Sequence, residues 1–139
     1  MTLASTICRY LLGLLFTVFG ANGFLHFLKP PPPTSALALQ FQTAINVSHF
    51  MVLIFLLQLI AGLLLLADRF VPLALVVLAG ILTNILLYHV TMDPAGIPPG
   101  LVATVLWFVT AVSYRANFRG IFVARAEPAA APIASRLAG

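Results

Sequence analysis

The sequence is poor in charge: only 7% of its 139 residues are Asp, Glu, Lys or Arg, three of them acidic and seven basic. A soluble domain carries roughly a quarter charged residues. With 62% apolar residues, a soluble fold of this size has too little interior to hide them. Cysteine is nearly missing as well. The single Cys8 allows no internal disulfide, no CxxC redox pair and no thiolate metal cage. It follows no small-residue lipoprotein box, so lipidation is not expected there. No HxxxH spacing suggests a zinc site, and no flavin, iron–sulfur or nucleotide motif is present, so redox chemistry would need a bound cofactor or a partner subunit. The net charge of +4 does not point to nucleic acid, because the cations sit at the ends of apolar runs rather than on a polar face.

What the chain does have is long apolar runs. A helix crosses about 30 Å of hydrocarbon with about 20 residues. Four stretches meet that length, at about residues 10–28, 49–67, 71–91 and 97–114. The first has no small-x-small cleavage site, since Phe19 lies two places before Ala21, and is expected to stay as an anchor. Pro98 and Pro99 crowd the start of the fourth, where the first helical turn tolerates them. Pro30 to Pro33 end the first span. After them, Ser35 can cap a short helix whose Leu37, Phe41, Ala44 and Ile45 share one face, as suits a helix lying in the membrane interface; a plain loop is the alternative. Beyond the single four-helix domain, residues 1–122, the stretch 123–139 lacks bulky apolar residues and reads as a disordered tail.

Orientation follows from the cations, which stay cytoplasmic in short loops. Arg9, Arg69, Arg115, Arg119, Arg125 and Arg136 fall on one side and only Lys29 on the other. The expectation is an all-α integral membrane four-helix bundle with both termini on the cytoplasmic side, surrounded by the lipid bilayer. Gly13, Thr17 and Gly20 form a small-residue stripe that lets the first helix pack closely on a neighbour; a homo-oligomer is allowed but not demanded.

Within apolar spans the polar residues carry the information, because each costs free energy unless partnered. Asn22 and Asn84 lie at matched depth, with His26, His49 and His89 nearer the outer boundary and Asp93 at a helix end. Asn22 and His26 share a face. His89 is turned about 140° from Asn84 and shares its face with Asp93, to which it can hydrogen-bond. These six residues define a candidate polar pocket open to the outer face. They could equally be interhelical bonding pairs and wet interfacial imidazoles. Haem between His26 and His89 would require a facing that spacing does not establish.

Several segments together look familiar: Asn22-Gly-Phe-Leu-His26-Phe-Leu closing the first helix, Arg69-Phe-Val-Pro-Leu-Ala opening the third, Asn84-Ile-Leu-Leu-Tyr-His89 ending it, Asp93-Pro-Ala-Gly-Ile-Pro after it, and Tyr114-Arg-Ala-Asn-Phe-Arg119 closing the fourth. In order and spacing, from Arg9 to Phe122, the chain resembles the DoxX family of small bacterial four-helix membrane proteins. The resemblance implies association with membrane quinone oxidoreductases or redox-stress complexes, with quinone as the implied cofactor and redox subunits as implied partners. It brings no catalytic residues with it; Asn22, His26, Asn84 and His89 are the positions matching the polar signature. The expected role is a quinone- or redox-associated subunit that is not an enzyme by itself. Two alternatives stand beside it: a structural or assembly protein without ligand, and a small-solute transporter.

Overall fold

In hydrocarbon the backbone must bond to itself, and long runs of Leu, Val, Ile and Phe satisfy that demand as helix. The computed structural model describes residues 2–125; the expected disordered tail lies outside them beyond Arg125. The described residues form α1 (Leu3–Leu25), α2 (Ala36–Val47), α3 (Phe50–Leu66), α4 (Val71–Thr91) and α5 (Ile97–Ser113), with 3-10 segments at Pro94–Gly96 and Arg115–Phe122. Three stretches, Leu3–Leu25, Val71–Thr91 and Pro94–Ser113, are long and apolar enough to cross a membrane. The pair α2 and α3 passes the same test jointly but is bent by 84°. The protein is thus all-α, with three or four candidate spans.

α1 packs against α3 and α5, and α4 packs against the same two helices, so α1, α3, α4 and α5 close a ring. Leu12 and Phe16 of α1, Leu65 of α3, and Leu75 and Leu78 of α4 fill its centre, each 1% exposed or less. Trp107 of α5 donates its indole N–H to the Leu75 carbonyl at 2.8 Å, tying α5 to α4. The small-residue stripe of α1 meets α3. A methyl at Gly20 would lie 2.5 Å from the Leu59 backbone nitrogen, and one at Gly62 would lie 2.5 Å from that of Thr17. Only bare backbone fits this seam, the arrangement by which membrane helices approach closely.

Two boundaries of α1 differ from expectation. It starts at Leu3 rather than near Tyr10, because Thr2 caps it by accepting from the Ser5 N–H at 3.3 Å. Arg9, taken from sequence as a boundary marker, is buried two turns into the helix at 2% exposure. Its guanidinium donates to the Leu65 carbonyl, in the last turn of α3, where carbonyls lack helical partners and the helix dipole favours a cation. At the other end α1 stops at Leu25, because His26 turns left-handed (φ 53) with its N–H on the Asn22 carbonyl. The helices α3, α4 and α5 begin and end within a residue of the remaining expected apolar runs, although α3 passes as a span only together with the bent α2, and the helix in the connection after α1 is formed. Ser35 caps it, accepting from the Ala38 N–H at 3.0 Å.

Candidate functional site

The polar side chains gather into two groups, one at each end of the bundle. The first lies where α2 meets the end of α4. Asp93, one residue past the C-cap of α4, is 9% exposed. Its Oδ1 accepts from the Thr34 N–H at 3.3 Å and from the Thr34 hydroxyl. Ser35 donates its hydroxyl to the Met92 carbonyl at 2.6 Å while capping α2. Further along α2, Gln42 donates to the Tyr88 hydroxyl at 3.0 Å, and the Phe41 ring lies 5.7 Å from that of Tyr88. The Tyr88 and His89 rings meet edge to face at 4.9 Å.

His89 is held on several sides. Its Nδ1 lies 3.0 Å from the Asp93 carbonyl oxygen. A carbonyl only accepts, so Nδ1 carries the hydrogen, and Nε2 of the neutral ring is left as an acceptor. Any side chain at Gly96 would run into the imidazole, so this ring needs a glycine beside it. Tyr88 accepts from Gln42, which leaves its own O–H to donate. The half-buried pair therefore presents one donor and one acceptor side by side. A shallow groove of about 140 Å³ between α4 and α5, lined by Leu82, Leu86, Thr104 and Trp107 among others, runs up to Leu86, one turn before His89.

Of the six residues singled out from sequence, the structure joins His89 and Asp93, though through the Asp93 backbone rather than its carboxylate. Asn22 closes a loop instead: it donates to the Leu28 carbonyl at 3.2 Å and accepts from the Leu28 N–H at 2.6 Å. His26 is exposed, with Nδ1 3.1 Å from the Phe24 carbonyl. His49 is an exposed, left-handed residue (φ 58) at the start of α3. Asn84 is exposed and donates to the Gly80 carbonyl of its own helix at 2.9 Å. The two asparagines thus bond within their own segments, and no bond links them. Thr34, Gln42 and Tyr88 were not among the candidates. Only the hydroxyl pair Thr34-Ser35 ahead of α2 signalled the first of these.

The second group lies at the arginine end. Arg9 bonds the Leu65 carbonyl, sits 3.3 Å from Asp68 and lies 4.4 Å from the centre of the Tyr10 ring. Its buried Nε has no hydrogen-bond partner among the described residues. Tyr114, just past α5, donates to Asp68 at 3.1 Å. Burial, and then this bond and the nearby Asp68 charge, raise the Tyr114 pKa above the usual 10.0, with Arg9 opposing. Asp68 thereby ties α1, the α3–α4 turn and the end of α5 together. No group of three His, Cys, Asp or Glu that could hold a metal ion occurs among the described residues. Comparison of the chain with family models, with curated proteins and with solved structures finds no match.

Proposed function

We propose that the chain crosses a bacterial inner membrane four times, with both termini cytoplasmic, and serves a quinone-linked redox complex as an accessory subunit that does no catalysis alone. The observation that carries this reading is the half-buried Tyr88–His89 pair near the end of α4, with an uncommitted donor and acceptor. A quinone shuttles electrons and protons between membrane complexes. Its carbonyl oxygens accept hydrogen bonds and the hydroxyls of its reduced form donate them, so Tyr88 O–H and His89 Nε2 match the two forms. The resemblance to the DoxX family supports the same class of partner.

The decisive experiment is extraction of protein purified from native membranes, with mass spectrometry of the lipid fraction. Co-purifying quinone is expected, reduced at least tenfold by Tyr88→Phe combined with His89→Leu while helicity is unchanged. Wild-type protein free of quinone would sink the proposal. A specific observation favours a second reading, in which the chain is a structural or assembly protein: Asp93, Thr34, Ser35 and Gln42 all bond within the chain, pinning α2. That reading expects substitutions there to lower the melting temperature and to leave the lipid extract unaltered.

A further inference from the structure

We propose that the arginine end is a binding surface for anionic phospholipid headgroups, formed jointly by the α3–α4 turn and the 3-10 segment Arg115–Phe122. The inference rests on the membrane-spanning reading above but not on any quinone role. The Tyr114–Asp68 hydrogen bond, 3.1 Å, brings the two pieces of chain together, so that Arg69 and Arg115, each next in sequence to one bonded partner, flank a single junction. Arg119 follows one turn along the 3-10 segment.

Charge decides what this surface takes. Asp68 is the one carboxylate at this end among the described residues, and Arg9 lies against it at 3.3 Å. Among the described residues, the exposed guanidiniums of Arg69, Arg115 and Arg119 have no carboxylate opposite them. Arg115 uses one donor on the Val112 carbonyl at 3.1 Å, and a guanidinium has five, so most remain for phosphate oxygens. Apolar exposure at the same place separates a lipid surface from an aqueous partner. Phe70 is 71% exposed and Phe122 83%, whereas Phe118 packs on the core and fixes the segment to the bundle. Cations interleaved with exposed aromatic and aliphatic side chains, at the end of a bundle, suit a headgroup layer: apolar groups enter the acyl boundary and guanidiniums stay with the phosphates. A basic residue beside an anionic bilayer adds up to about fivefold in affinity.

The test uses the full chain reconstituted in phosphatidylcholine bilayers containing a minority of phosphatidylglycerol, with spin-labelled versions of each lipid reporting which one the protein retains. A preference for phosphatidylglycerol on the order of tenfold is expected from the three arginines. It should fall as sodium chloride is raised. Arg69→Gln, Arg115→Gln and Arg119→Gln together should abolish it, the corresponding lysine variants should keep most of it, and Lys29→Gln should leave it intact. Equal retention of the two lipids by wild-type protein, a preference insensitive to salt, or one lost with Lys29→Gln would overturn the proposal. Protein stripped from the bilayer by an alkaline carbonate wash would sink the spanning reading along with it; retained protein without lipid preference sinks the lipid surface alone.

Discussion

Two junctions hold the helices together by opposite means. Between α1 and α3 the contact is long and apolar, lined by Gly13, Gly20 and Gly62, and closed at one end by a buried arginine. Between α2 and α4 it is short and polar, built from the side chains of Asp93, Thr34, Ser35 and Gln42. The difference teaches where each kind of force works. At membrane depth lipid is as apolar as leucine, so helices gain by close backbone approach rather than by exclusion of water. At the interface water competes, and a segment is positioned by directional bonds that it shares with a helix end.

The comparison breaks first at the seam. Gly62→Leu must push α1 away from α3, and a loss of about 3 kcal/mol or more is expected. Loss of helicity on titrating SDS into detergent-solubilised protein measures it, and unaltered resistance would mean that the helices do not meet as described. Gly80, with open space around it, is the control and should accept Ala with little effect. Next is Asp68→Asn, which leaves Arg9, its side chain 3% exposed, without an opposite charge. Because Asp68 is half exposed, the expected cost is about 2 kcal/mol, below that of a fully buried pair. The same unfolding assay reads it.

At the polar junction the effect should be smaller and local. Asp93→Ala removes two bonds to Thr34 and is expected to cost about 1 to 2 kcal/mol, confined to α2. Amide exchange across residues 36–47 should quicken roughly tenfold while the seam keeps its protection; simultaneous loosening of α1 would show the junctions to be coupled. The smallest effect is alkaline. The folded-state pKa of Tyr114 is raised above 10.0, so the unfolded chain loses the phenolic proton first. Stability contributed by this group is complete below that pH and declines as pH rises through the folded pKa. Tyr114→Phe should remove this part of the slope in unfolding curves taken at high pH.

The long apolar helices were legible because they rest on composition and length, which are local. The start of α1 was not. Arg9 looks like a boundary marker until its partner, a carbonyl 56 residues away, is known. Counting also put Asn22 and Asn84 at one depth, but depth carries no azimuth, and each amide found an acceptor within its own segment. The neighbourhood of His89 and Asp93 could be read from their four-residue spacing. The atoms that meet could not, because the Asp93 carboxylate is taken by Thr34 from a different part of the chain. Ser35 as the cap of α2 was legible, since capping is a short-range rule.

Both junctions gain their meaning from which end faces which compartment, and one labelling experiment decides it. In a Cys8→Ser background, Pro31→Cys places a thiol at the α2 end and Gly120→Cys, where nothing crowds a side chain, places one at the arginine end. A membrane-impermeant maleimide should label position 31 in intact spheroplasts and position 120 only after lysis. Labelling of both positions from outside, or of position 120 alone, would contradict four spans with cytoplasmic termini.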